Sequence, residues 1–405
     1  MVNHKEIIEY KIANPDASSR QVAKVIGCSK STVNNVWAAY QEGVETPEDT
    51  VDKELEEQCL SEDTNLANLA KRLRTAHRTN TQLRRVINGH NDNRTIFDAL
   101  NTAVGKASLS IEKKGSRVPL SLPTTGKDNA TLEVLLSDLQ IGKVSRHYNT
   151  EVAKKALAVY GKGVLDFIMA RKESYKFERI VIALVGDLVE DHLKHGVGSS
   201  VACDTGLAEQ MQDAIEGIWE HVIDPLTSLG IETEVVCVTG NHGSSMHKGM
   251  DSFKAGRFSY DYVIHNTLRK FCELRGKENV KFTIPDGTFG TTSIYGKHVI
   301  YEHGYHNPCS EKGMTDQMLK RGRQLKIHPT YWRQGDKHHH NCFGQGELIL
   351  NAALFGIEQE GIEYSGILGF NSVPSQTLVV HVEDNRLGRG NVKEVFNVQV
   401  TPEDA

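Results

Sequence analysis

The sequence predicts an α/β domain preceded by an all-α N-terminal region, and three observations carry that reading. From Thr131 onward, the runs LEVLLSD, RIVIALVGD, TEVVCVTGN and KHVIYEHG are β-branched and apolar, and each stops at a polar cluster. Buried strands read this way when their ends open onto a site. Between them, EVAKKALAVYGKGVLDFIMARKE and AEQMQDAIEGIWEHVIDPLTSL carry apolar residues at helical spacing, and strands alternating with helices make a layered domain. Upstream the texture is polar and helical, ending in a stretch rich in Pro, Gly, Lys and small polar residues, which is linker composition. The expected division is a helical module at 1–45, a second helical segment at 50–110, a linker at 111–130 and the α/β domain at 131–405. The runs ELILNAALFG, QTLVVHVED and EVFNVQV add later strands.

Composition bounds the rest. A chain of 405 residues exceeds one ordinary core, so two or three domains are expected. No apolar run reaches 18 residues and the N-terminus lacks an apolar signal core, so no membrane span is expected. The 7 cysteines are odd in number, scattered and without a C-x-x-C pair. That excludes a disulfide framework and a cysteine zinc site, and a reducing cytoplasm follows. A net charge of −5 excludes a generic polyanion binder. Lys71, Arg72, Arg74, Arg78, Arg84 and Arg85 nevertheless form a local basic stretch with no acidic residue among them, able to meet phosphate or simply to face solvent.

Within the first module, SRQVAKVIGCSKSTVNNV places Val22, Ala23, Val25 and Ile26 before Gly27, and Val33 and Val36 after it. Glycine lets a helix end and turn, and the Ser29 hydroxyl can cap a second helix. This resembles the helix-turn-helix of DNA-binding regulators. The second helix would present Lys30, Ser31, Thr32, Asn34 and Asn35 to DNA, since Asn pairs with adenine edges and Lys, Ser and Thr suit base edges or phosphates. A helical hairpin used for protein contact has the same pattern. Leu66, Leu69, Leu73, Ala76, Asn80, Leu83 and Ile87 then follow alternating steps of three and four. This is either a short coiled coil pairing two chains as a homodimer or a single helix packed on its own domain.

The chemistry lies at the strand ends: Asp138-Leu139-Gln140, Gly186-Asp187, Gly240-Asn241-His242, His303-Gly304 and GDKHHH from Gly335 to His340. Each cluster alone is commonplace. As an ordered set they supply carboxylate, amide and imidazole groups, each ending an apolar strand. Phosphodiester hydrolysis needs a hydroxide nucleophile at neutral pH and neutralised phosphoryl charge, which two divalent cations supply together. Such ligands suit Mn²⁺ first, with Mg²⁺, Fe or Zn²⁺ also competent.

The ordered set resembles the calcineurin-like metallophosphoesterase superfamily over about residues 131–385. Within it, the chain is most similar to the nuclease branch of Mre11 and SbcD and to phage DNA exonucleases. The resemblance implies a four-layer αββα sandwich. It also implies that Asp138 binds a first metal, Asp187 bridges two, and Asn241 and His303 bind the second. His242 would contact the scissile phosphate as the catalytic residue. Gln140 stands where the family has His, and GDKHHH fits the last motif in two registers, Asp336 with His338 or His338 with His340. Lys143, Arg146, His147, Glu190, Asp191, His192, His195, His247 and Lys248 could line a phosphate groove or simply face solvent, and His306, after His303, could support the ligands from behind. The implied function is a two-metal DNA nuclease directed by its helix-turn-helix. The alternatives are a phosphatase or phosphodiesterase on another phosphoester, and a catalytically weakened DNA-binding regulatory protein, which Gln140 and Asp336 keep open.

Overall fold

Ser18 caps the second helix of the chain. Its hydroxyl accepts from the Gln21 amide at 3.4 Å while the Gln21 side chain accepts from the Ser18 amide at 2.8 Å, satisfying two donors that a helix start leaves open. The computed structural model describes residues 4–15, 17–41, 105–106, 124–191, 203–243, 255–356, 369–370, 372–383 and 391–400. The heptad at 66–87, the basic stretch at 71–85, linker residues 111–123, His192, His195, His247 and Lys248 lie outside them.

The chain divides into two units, 1–95 and 96–405. In the first, α1 (His4–Ala13), α2 (Ser19–Ile26) and α3 (Lys30–Gln41) follow one another. Gly27 ends α2 at φ 75°, and Ser29 caps α3 by accepting from the Thr32 amide at 3.0 Å. Ile7, Val22, Ala23, Val33 and Val36 form the core of this unit. Val25, read with the apolar group, is instead 59% exposed.

In the second unit, strand alternation makes layers. β1 (Asp128–Leu136), β2 (Tyr175–Val185), β3 (Glu232–Val238) and β4 (Val280–Thr283) run parallel. β10 (Ser375–Val382) and β11 (Val392–Gln399) extend the sheet antiparallel beside β1. β1 starts three residues before the expected boundary at Thr131. Leu132, Val134, Ile180, Ile182 and Val235 point to one face, where they pack with α4 (Thr150–Arg171), α5 (Leu207–Ile218) and α6 (Tyr260–Leu274). Their alternates Leu135, Val181, Ala183 and Val236 meet Val299, Tyr301, Tyr331 and Ile349 of a second sheet. That sheet holds β5 (Phe289–Ile294), β6 (Lys297–Glu302), β7 (Pro329–Gln334), β8 (Asn341–Phe343) and β9 (Leu348–Leu350), in the order β5-β6-β7-β9-β8. On its far face Ile300, Trp332 and Leu350 cover Met314 and Met318 of α7 (Glu311–Leu325). Helices, sheet, sheet and helix thus stack as four layers, the expected sandwich.

The layer between the sheets is not wholly apolar. Arg333 and Glu133, both fully buried, pair through Nη2 and Oε2 at 2.9 Å, and His381 Nε2 lies 2.8 Å from the same carboxylate. Arg333 also donates to the carbonyls of Trp332, Gly346 and Glu347, each at 3.0 Å. Burial alone would raise the Glu133 pKa, but Arg333 and His381 outweigh it and hold it at about 2. Among the described residues no helix is long and apolar enough to cross a membrane.

Arg333→Met would leave Glu133 buried without its cation, a loss of about 3–5 kcal/mol readable as a lower urea midpoint for the second unit. Because the folded pKa of Glu133 is depressed, its contribution is present above the unfolded value near 4.5 and is lost as pH falls toward 2. The gap between wild type and variant therefore narrows below pH 4.5, and a gap constant down to pH 3 would contradict the pairing.

Candidate metal centre

Beyond the carboxyl ends of β1, β2 and β7 the chain turns into a conformation that side chains resist. Asp138 (φ 53°), Gln140 (41°), Asp187 (53°), Asp336 (66°) and His338 (58°) are all left-handed. Each costs on the order of 1–3 kcal/mol and persists only where surrounding contacts enforce it. The enforcing contacts are visible. The Asp138 amide donates to Gly186 O and the Gln140 amide to Asp187 O, both at 3.0 Å. The Asp336 amide donates to the Asp138 carboxylate at 3.1 and 3.2 Å. Two glycines let the turns close: a Cβ at Gly240 would collide with the Asp187 carboxylate, and one at Gly335 with that of Asp138.

The result is a cluster of buried ligand atoms. Asp138, Asp187 and His303 offer one donor atom each, all within 4.8 Å of one another, at 0, 1 and 2% exposure. His303 Nε2 lies 3.0 Å from Asp187 Oδ2, 3.7 Å from Asp336 Oδ1 and 3.9 Å from Asp138 Oδ1. His338 Nε2 lies 3.5 Å from Asp138 Oδ1 and 3.3 Å from the Gln140 amide nitrogen. Asn241 is buried in the turn that follows β3. His340 stands apart: its Nδ1 faces Thr377 Oγ1 of β10 at 3.3 Å. Of the two registers for GDKHHH, the one brought to the carboxylates is Asp336 with His338.

The donor set fits divalent cations. His303 Nδ1 lies 2.7 Å from Val185 O, so Nδ1–H donates there and Nε2 faces the carboxylates, which raise the ring's pKa against its burial; a cation held there would take the place of the Nε2 proton. Gln140 Oε1 is buried without a hydrogen-bond donor, an orphaned acceptor at the rim of the same cluster. Burial raises the Asp138 pKa to about 6 although His303 and His338 oppose it. Burial alone would raise that of Asp187 too, but His303 and His242 hold it well below the usual carboxylate range.

His242 lies beside this group. Its amide donates to Asp187 Oδ1 at 2.8 Å. Its Nδ1 is 2.9 Å from Glu190 O and 3.3 Å from Glu190 Oε2, while Nε2 is 4.0 Å from Asp187 Oδ2. Burial would lower its pKa, but Asp187 and Glu190 raise it to about 9. Lys337 Nζ sits 2.6 Å from Asp336 Oδ2, a cation that the motif reading did not weigh.

One positioning residue escaped the sequence reading. Asp261, fully buried in the first turn of α6, accepts from the amides of Asp187 at 3.2 Å, Leu188 at 3.3 Å and Gly240 at 2.9 Å. It ties the turn after β2 to the turn after β3. Only Ser259, which caps α6 by accepting from the Asp261 amide, marked the place in the sequence. In the first unit Lys30 and Asn34 are exposed and Thr32 half-buried on α3, and Thr32 Oγ1 lies 2.7 Å from the capping Ser29 hydroxyl. The side chains of Ser31 and Asn35 lie outside the described residues.

Solved structures give likenesses of fold. Vps29 of Entamoeba histolytica, complexed with zinc, shares 11% identity at a TM-score of 0.29, over 66% of this chain and 99% of that one. A predicted phosphoesterase of Streptococcus pneumoniae shares 9% at 0.26, over 66% and 98%. A hypothetical protein of Pyrococcus horikoshii shares 9% at 0.31, over 67% and 88%. No family model matches the sequence, and no curated protein does.

Asp261→Ala would release three amides and loosen both turns. Mn²⁺ affinity by titration calorimetry should then fall about 10–100-fold with the far-UV spectrum unchanged. Unaltered affinity in a folded variant would remove Asp261 from the centre.

Proposed function

We propose that this chain is a metal-dependent phosphodiesterase of the calcineurin-like metallophosphoesterase superfamily, and that its substrate is DNA. The observation that carries this is the meeting of Asp138, Asp187, His303, Asp336 and His338 in one buried, strained cluster. Two divalent cations, when bound, would supply Lewis acidity toward the phosphoryl oxygens and lower the pKa of water. Asp138, Gln140, Asp336 and His338 would hold the first, Asp187 would span both, and Asn241 and His303 would hold the second. His242 would be the catalytic residue that meets the scissile phosphate, its ring oriented by Glu190 through Nδ1. From there Nε2 can donate to a phosphoryl or departing oxygen.

DNA is favoured over other phosphoesters by the first unit, whose α2 and α3 meet across the Gly27 turn with Lys30 and Asn34 exposed. Such a module adds phosphate and base contacts that a small substrate would not use. A homodimer through residues 66–87 would present two such modules. A second reading, a weakened DNA-binding protein, is favoured by Lys337, because an ammonium 2.6 Å from Asp336 competes with a cation there.

Among linear and circular, single- and double-stranded DNA, at least one linear form should be cleaved with Mn²⁺ and spared in EDTA, the circular forms separating exonuclease from endonuclease action, and His242→Ala should slow cleavage by about 100-fold or more. DNA bound but uncut in every metal would favour the second reading, and turnover of an aryl phosphodiester alone would move the substrate elsewhere. Lys30→Ala should weaken duplex binding uniformly across sequences and lower the log–log salt slope by about 1; an unchanged slope would take α3 off the phosphate backbone.

A further inference from the structure

A cleft of about 660 Å³ opens beside His303, walled by Pro285 and Gly287 to Phe289, by the turn Glu302–Asn307 after β6, and by Thr239 just past β3. That volume lies within the range of pockets that hold small organic ligands. Two features of its lining point to a ligand. Asn307 is 7% exposed, and its Nδ2 is buried without an acceptor; Thr239 is 2% exposed, and its Oγ1 is buried without a partner. Buried polar atoms of this kind are costly unless something meets them. The Asn307 backbone N–H donates to Gly304 O at 2.8 Å, which anchors the residue at the pocket wall.

The lining also says what the ligand is not. Arg321 is its one arginine among the described residues, and its guanidinium is committed, Nε and Nη2 to Glu302 at 2.7 Å and Nη1 to Gln324 at 2.8 Å. The same guanidinium covers the Phe289 ring, 4.9 Å from its centroid. No guanidinium remains for a second phosphate, so the pocket suits a neutral group. Tyr305, 43% exposed and 4.2 Å from the His306 ring, offers an aromatic surface at the mouth. An aromatic surface with a buried amide donor and a hydroxyl matches a flat heteroaromatic ring with hydrogen-bonding edges. Since His303 belongs to both the metal cluster and the pocket wall, the ring would be attached a few bonds from a phosphate held there.

We propose that this cleft is a nucleobase pocket that takes the unpaired base next to the reacting phosphate, with Asn307 and Thr239 bonding its edge and Tyr305 stacking on its face. The inference rests on the phosphodiesterase reading but is tested without turnover. Thymidine 5′-monophosphate and 2-deoxyribose 5-phosphate would be titrated calorimetrically into the full chain with Mn²⁺ and again in EDTA. The nucleotide should bind about tenfold more tightly than the sugar phosphate, the effect of one stacked base. Asn307→Ala and Tyr305→Ala should each erase most of that preference. Equal affinity for the two ligands in the wild type, or a preference that survives both variants, would overturn the pocket whatever the cleavage assays give. A preference without cleavage of any diester would keep the pocket and sink the hydrolytic reading. Competition by a single-stranded tetranucleotide but not by a blunt hairpin assigns the base to an unpaired DNA strand; displacement by the mononucleotide alone assigns it to a free nucleotide. Both results support the base site.

Discussion

Asp138 and Asp187 are buried side by side, and the second unit is arranged around that fact. At separations below 5 Å two carboxylates repel by roughly 3 kcal/mol or more at an effective dielectric of 20. Burial adds the cost of stripping water from each. What offsets this is donor groups aimed inward: the Asp336 amide toward Asp138, the His242 amide toward Asp187, and imidazoles toward both. The left-handed turns after β1, β2 and β7 are the backbone's part of the same arrangement, since they bend the chain so that amide and carboxylate face each other.

The two sheets have to hold those turns in register, and a second buried charge group does so. Glu133 lies on β1 five residues before Asp138, and Arg333 lies on β7 three residues before Asp336. The ion pair between them fixes how far each strand reaches toward the centre. An apolar interlayer would tolerate sliding, because hydrophobic contact is non-directional. A charge pair whose guanidinium also bonds three carbonyls does not. His381 brings β10 into the same group.

Much of this was legible in the sequence, and the boundary is physical. Strands β1, β2, β3 and β6 showed as apolar runs because both faces are buried, and their ends showed as polar clusters because a carboxylate beside an apolar run is conspicuous. Strands β4, β5, β7 and β8 are short or mix polar with apolar residues, as in VKFT and PTYWRQ, so periodicity did not mark them. ELILNAALFG was read as one strand, but only Leu348–Leu350 pair; the rest runs past the site, where Leu354 donates its amide to Asp138 O. Asp261 was invisible for a different reason. Its partners lie 74, 73 and 21 residues upstream, and nothing local separates it from any acidic residue in a first helical turn. The choice between Asp336 and His340 also needed geometry, because three consecutive histidines offer every spacing at once.

On the proposed function, the two halves of the centre are built unequally. Asp187 and Asn241 sit on turns that Asp261 ties together, and the His303 ring is oriented by Val185 O. Gln140, Asp336 and His338 would offer the first cation an amide, a weaker ligand group, and a carboxylate already paired with Lys337. Counting charge with His303 neutral, as a metal-bound imidazole is, the carboxylates of Asp138, Asp187 and Asp336 give −3 and Lys337 gives +1, which leaves −2, while Glu190 and His242 offset each other. A balance of −2 matches one divalent cation. On the proposed function, the negative charge of a substrate phosphate is what would balance a second, so the weaker half of the centre fills where substrate binding can help it, and the tied half is the one shaped to hold a cation alone.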